Sequence, residues 1–218
     1  MPKTKSLYLI MFAVIIAFIL YVVYANFVSD PQAKGFLSHK SGLDRTVNVP
    51  VWLNVMNIHV AFACLAMISG AINFAERISA KHRKFHRING YAYVLFVLVV
   101  VVTSGYMAPY ATGGKPSSMA FNLLNIMWPS VTIAAIVQIK KKRVNKHRKW
   151  MIRSYAFCFT NMFIHAITFV VHEGLNMEYP ASYTIGVYGS IVLLLLLAEI
   201  VIRATNAKDK RPPAFWTN

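Results

Sequence analysis

At 218 residues, with 57% hydrophobic and 14% charged side chains, the chain does not have the composition of a soluble domain, and the bilayer is its natural solvent. The net charge of +16 would suit nucleic acid, but the 23 Lys and Arg stand in blocks between apolar stretches. No basic face is interleaved with aromatics, so nucleic acid is excluded as a partner and the charge is assigned to membrane topology.

The N-terminus, MPKTKSLYLIMFAVIIAFILYVVYANFVSD, sets Lys3 and Lys5 before an apolar run from Leu7 to Val28. That run is too long for a signal peptide and no small-x-small cleavage site closes it, so it reads as a retained transmembrane helix. Because about 20 apolar residues rising about 1.5 Å each cross the hydrocarbon, six spans are expected at 7–28, 51–74, 90–110, 120–139, 151–172 and 182–202. The predicted fold is all-α, a polytopic membrane helix bundle forming a single membrane domain over 1–218. Within it, residues 1–30 are an N-terminal helix, 50–202 a core of five helices and 203–218 a tail. Helices are the default in lipid because the backbone must satisfy its own hydrogen bonds.

The connections set the orientation. Eighteen Lys and Arg fall in the N-terminus, in loops 75–89 and 140–149 and in the tail, against Lys34, Lys40, Arg45 and Lys115 on the opposite side. By the positive-inside rule both termini are cytoplasmic. The first external loop, SDPQAKGFLSHKSGLDRTVNVP, is the longest and carries His39 and Asp44, positioned to cap an outer site. Loop 111–119, with Gly113, Gly114 and Pro116, is turn chemistry. Glu199 lies four residues before Arg203, which predicts an interfacial ion pair. Asn122, Asn125 and Pro129 predict a kinked fourth span with interhelical hydrogen bonds. Cys64 and Cys158 fall inside apolar runs and read as small buried hydrophobes.

Two nearly identical blocks, KHRKFHRING at Lys81 to Gly90 and KHRKWMIRS at Lys146 to Ser154, stand at the cytoplasmic mouths of the third and fifth spans. As headgroup anchors they need only positive charge, with Phe85 and Trp150 as interfacial aromatics. His82, His86 and His147 add little charge at neutral pH and ask for a further role. His59 and His165 lie within spans, where ionisable groups face an interior, a cavity or a cofactor. Each stands fifteen residues from an inner helix end, about 22 Å above it by helix rise. His59 is followed by a small-residue stripe, Ala63, Ala66 and Gly70, which admits a flat cofactor or a neighbouring helix. Ser154, Cys158, Asn161, His165, Thr168 and His172 form a polar stripe on the fifth span. Ordinary small-residue and polar helix packing is the plain alternative for both stripes.

A histidine pair at each of two levels, His59 with His165 and His86 with His147, roughly 20 Å apart, is the pattern of a diheme b-type cytochrome. The alternative at the outer level is zinc or copper on His59 and His165 with His172, Glu173 or His39. Neither a zincin motif, paired C-x-x-C, a Walker loop nor a G-x-G-x-x-G loop occurs.

On HRINGYAYV at His86 to Val94, HRKWMIRSYAF at His147 to Phe157 and His59 with the small residues to Gly70, the chain resembles the bacterial domain-of-unknown-function family 2306 of multi-helix membrane proteins. The resemblance covers about residues 50 to 202. It implies a bacterial cytoplasmic membrane location and, by topology and histidine placement, a relation to b-type membrane cytochromes. In relatives the position of His165 is often arginine, which moves the expected ligands toward His59, His86 and His147. Arg153, one turn inside the fifth span, is then placed to meet a propionate, a phosphate headgroup or an acidic partner. The expected function is a membrane redox protein binding heme b and passing electrons to or from quinone or a respiratory complex, in a bilayer with anionic headgroups at its cytoplasmic face. An accessory or assembly factor of a respiratory oxidase, handling heme or copper, is the alternative. A small-molecule transporter is the third reading.

Overall fold

The computed structural model describes residues 3–38, 46–75 and 81–209, and these residues form helices joined by short turns. Helix α1 (Lys3–Val23) widens into a π-helical turn over Tyr24–Ser29. Asp30 stops it and starts the next element, because its carboxylate accepts from Lys34 N at 2.9 Å and Gly35 N at 2.8 Å at the head of α2 (Lys34–Ser38). Helix α3 (Val49–Asn73) opens with Asn48, whose side chain accepts from Val51 N, followed by a proline in the first turn, where a missing N–H costs nothing.

Helix α4 (Arg83–Met107) runs on as a tighter turn to Tyr110, and α5 (Gly114–Lys140) follows. Helix α6 (Val144–Ala156), a tight turn at Phe157–Phe159 and α7 (Thr160–Leu175) make one continuous rod, and α8 (Tyr179–Asp209) closes the chain. The turn between α4 and α5 requires Gly113. Its φ of 85° is a left-handed value, and a side chain there would meet Thr184 Oγ1, Ser117 Oγ and the Pro180 carbonyl.

Six stretches are long and apolar enough to cross a membrane: Tyr8–Ser29, Val49–Asn73, Arg83–Tyr110, Gly114–Lys140, Val144–Leu175 and Tyr179–Thr205. The expected spans are all present, but the third to the sixth run further than apolarity alone suggested. The basic blocks of the third and fifth spans are the first turns of α4 and α6 rather than loop, since Lys and Arg are good helix formers and a helix need not end where the hydrocarbon does. Likewise α5 starts at Gly114, inside the expected outer loop, because Pro116 is tolerated in a first turn.

Sequence neighbours pack as antiparallel pairs: α3 along α4, α5 along α6, and α7 along α8. Helix α8 also lies against α5 and α6, and α5 against α4. The core holds Ala66, Met67, Tyr93, Val97, Trp128 and Phe157, all buried. Val102, Ile126, Phe169 and Leu20 point outward at 60–75% exposure, as lipid-facing side chains do.

The small-residue stripe of α3 has a specific occupant. The Tyr155 ring of α6 lies directly on Gly70, its hydroxyl donates to Met67 O at 2.9 Å, and Phe74 and Phe159 bracket it at 5.2 and 5.5 Å. At this height the flat group received by α3 is a tyrosine of the chain itself. A Cβ on residue 70 would overlap the ring, so Gly70→Ala is expected to cost about 1–3 kcal/mol as an overpacked core does. Thermal unfolding in detergent checks this, with partial rescue expected in the Gly70→Ala/Tyr155→Leu double variant; an unchanged midpoint for Gly70→Ala alone would contradict the packing.

Candidate functional site

The interior polar groups begin with a chain of hydroxyls. Tyr93 OH of α4 lies 2.9 Å from Ser154 Oγ of α6, which lies 2.7 Å from Thr132 Oγ1 of α5, and Thr132 reaches Trp128 O at 2.8 Å. Because a carbonyl can only accept, the chain is satisfied when each hydroxyl donates onward from Tyr93 to Ser154, to Thr132 and to Trp128 O. Cys158 Sγ stands 3.8 Å from the Tyr93 oxygen as a weak donor at its head. Tyr93 and Ser154 are fully buried. Three helices are thereby tied together by polar bonds at membrane depth.

This bond sets the level of two histidines. His86 lies seven residues before Tyr93 on α4, and His147 lies seven before Ser154 on α6. Both helices run in the same direction from their basic ends, so both imidazoles stand two turns, about 10.5 Å, below the Tyr93–Ser154 contact. The two rings lie within electrostatic reach of each other and both are half-buried. The structural register therefore pairs His147 with His86, whereas aligning the repeated KHRK letters would pair it with His82, which is exposed.

Helix α3 clamps the start of α4. Ser69 Oγ lies 3.0 Å from both the backbone and side-chain oxygens of Asn89, and Asn89 Nδ2 donates to Ser69 O at 2.8 Å. Asn73, its amide oriented by its neighbours, accepts from Gly90 N at 3.2 Å and donates to His86 O at 3.3 Å. The backbone that carries His86 is thus held on the α3 side.

Two interior imidazoles have an assigned tautomer. His147 Nδ1 is 2.9 Å from Ala135 O of α5; the carbonyl accepts, so Nδ1 carries the proton and Nε2 the lone pair. His59 Nδ1 is 3.0 Å from Thr103 Oγ1 on α4. The Thr103 hydroxyl sits 2.8 and 2.9 Å from the Val99 and Val100 carbonyls, to which it gives its proton, so Nδ1 of His59 is again the donor. An Nδ1–H fixed on an oxygen, with Nε2 presented, is the arrangement metal-bound histidines use.

The outer level is assembled differently from the inner one. His165 sits exposed on α7, a helix whose long partner is α8, while His59 belongs to the α3–α4 pair; the structure does not bring these two together. The polar stripe of the fifth span is also divided. Ser154 and Cys158 are buried, Asn161 and His165 are exposed, and Thr168 is buried again. The tight turn Phe157–Phe159 advances the chain about 120° per residue instead of about 100°, which rotates the side chains of α7 away from the face that α6 presents. His172 is tied down locally, with Nδ1 2.6 Å from Met177 O, Nε2 3.8 Å from Glu173 Oε1 and its ring edge-on to Tyr179 at 5.6 Å. His39 lies outside the described residues.

Arg153 is engaged by protein. Its Nε donates to Glu199 Oε1 of α8 at 2.6 Å and its guanidinium lies 4.7 Å from the Trp150 ring centroid. Glu199 is thus bonded across helices to Arg153, where the sequence pointed to Arg203. Asn125, expected to bond between helices, has a buried Nδ2 with no hydrogen-bond partner among the described residues, and Asn122 is exposed.

Among the described residues no three His, Cys, Asp or Glu side chains gather into a group that would hold a metal ion. A tetrahedral zinc site asks for at least three such protein ligands, whereas a six-coordinate heme iron asks for only two axial ones. The inner level offers two imidazoles from different helices. It also holds Gln138 Oε1, one turn along α5 from Ala135, which is buried without a partner among the described residues. Two imidazoles on different helices are too few protein ligands for a zinc site and equal the number a bis-histidine heme uses. Tyr93, Thr132 and Trp128 were not among the residues the sequence singled out, although Tyr93, two turns from His86, carried the signal.

The family model described as "Predicted membrane protein (DUF2306)" matches residues 56–202. Neither the curated proteins nor the solved structures contain a match.

The hydroxyl chain is testable by a double-mutant cycle. Tyr93→Phe and Ser154→Ala are each expected to lower stability, with a coupling energy between about 0.6 and 1.7 kcal/mol, the range of interhelical hydrogen bonds in membrane bundles. Strictly additive effects would mean that the two hydroxyls do not bond.

Proposed function

We propose that this chain, which belongs to the DUF2306 family of predicted membrane proteins, is a multi-pass redox protein in which His86 and His147 would hold a b-type heme. It passes electrons between that centre and a quinone or a respiratory partner in a bacterial cytoplasmic membrane. The observation that carries this reading is the common level of two imidazoles on separate helices, set by the Tyr93–Ser154 bond.

Each neighbouring group has a task in it. The Ala135 carbonyl holds the His147 ring in the tautomer that leaves Nε2 free, and Asn73 with Asn89 fixes the turn of α4 from which His86 projects. Arg83, Lys84, Arg87 and Lys146 line the same end of the bundle and suit the carboxylates of a porphyrin. Arg153, which the sequence also offered for a propionate, is instead engaged by Glu199 on α8. When bound, heme supplies reversible one-electron chemistry at iron, with its potential tuned by ligands and burial. His59, oriented by Thr103, is the candidate for an outer centre, and its second ligand would have to come from elsewhere than the outward-facing His165.

Protein purified in detergent from heme-replete cells is expected to show a reducible Soret band that is lost in His86→Ala and in His147→Ala and kept in His165→Ala. A colourless wild-type protein, or equal loss in all three variants, overturns the reading. The same proposal sets the basic ends of α4 and α6 in the cytoplasm. Maleimide labelling of single cysteines introduced at Lys84 and at Lys115 is expected to differ by side, with Lys84→Cys shielded in intact cells and Lys115→Cys reactive.

A further inference from the structure

Glu199 is the one carboxylate of α8 within the span Tyr179–Thr205, and it stands among cations. Arg153 Nε bonds it at 2.6 Å, and Lys149 and Arg203 are close enough for their charges to act on it. Three positive charges around one negative leave this seam between α6 and α8 with a local excess of two. The Glu199 side chain is 43% exposed and that of Arg153 24%, so the cluster opens outward from the bundle. Its floor is closed by Ile152, Ala198 and Ile202, which are buried against one another.

The surroundings define what balances this excess. Trp150 lies under the Arg153 guanidinium at 4.7 Å, and tryptophan at the end of a span sits at headgroup level. On α8, one turn toward the hydrocarbon from Arg203, Ile200 and Val201 are 61% and 47% exposed, and Leu196 continues this apolar face at 56%. Cations at the polar boundary with an exposed apolar track running away from them match a phosphodiester joined to acyl chains; a soluble anion has no use for the track. Arg153 donates to Glu199 through Nε alone, and the rest of its planar fork suits a phosphate oxygen pair.

We infer that the groove between α6 and α8 at the basic end of the bundle binds the phosphate of an anionic membrane lipid, held by Lys149, Arg153 and Arg203 beside Trp150, with an acyl chain along Ile200 and Leu196. This site is separate from the imidazole pair between α4 and α6 and stands whether or not heme binds there.

Native mass spectrometry of the full chain released from nanodiscs of phosphatidylcholine doped with phosphatidylglycerol tests it. Wild type is expected to retain a phosphatidylglycerol adduct. Since each cation near an anionic headgroup is worth about fivefold in affinity, Lys149→Gln/Arg203→Gln should lower retention roughly thirtyfold. Lys140→Gln/Lys141→Gln, which removes the same charge from the same end outside the groove, should keep the adduct. Glu199→Gln, which removes the competing carboxylate, should strengthen it, an outcome that a purely structural ion pair does not produce. Three results overturn the inference: no adduct on wild type, equal loss in the Lys140/Lys141 variant, which means diffuse attraction, or displacement by inorganic phosphate at the lipid's own concentration, which means a soluble anion site.

Discussion

A hydroxyl buried in a membrane bundle has no water to return to, so the bond between Tyr93 and Ser154 constrains everything around it. It ties α4 to α6, and through Thr132 it ties both to α5. Apolar side chains between these helices would tolerate sliding by part of a turn, because dispersion is not directional. A hydrogen bond between two single atoms does not. Once Tyr93 and Ser154 meet, helix rise fixes the levels of His86 and His147 at the same end of the bundle.

The two faces of α4 share the work of holding that arrangement. Toward α3 it offers Asn89 and Gly90 to Ser69 and Asn73; toward α6 it offers Tyr93. Helix α6 in turn sends Tyr155 onto Gly70 of α3, so that the ring fills the space a side chain would have taken and its hydroxyl reaches Met67 O. These contacts join the α3–α4 pair to the α5–α6 pair. The basic blocks lie at one end of the assembly, where an electron-carrying centre and a lipid phosphate site would both border the aqueous phase without sharing a residue.

Much of the architecture was readable in the letters because the bilayer converts length and apolarity directly into spans. That His86 and His147 stand in the basic first turns of two helices was readable too. The stripe on the fifth span was not legible as a single face. A uniform helix places Ser154, Cys158, Asn161 and His165 on one face, but the three-residue tight turn at Phe157–Phe159 changes the angular advance midway, and nothing in the residues FCF announces it. Glu199 likewise had a neighbour four residues on in Arg203, and the choice of Arg153 depended on α6 passing close by.

Composition counted along a single segment is enough to place six helices long and apolar enough to span a membrane, their basic ends and the polar residues among them. Tertiary structure decided which polar groups meet: Tyr93 with Ser154, His59 with Thr103, His147 with the Ala135 carbonyl, Arg153 with Glu199. The physical reason is that a hydrogen bond or ion pair between helices depends on rotation about each axis and on register between axes. Neither quantity is carried by a local pattern, and both are settled only when the helices pack.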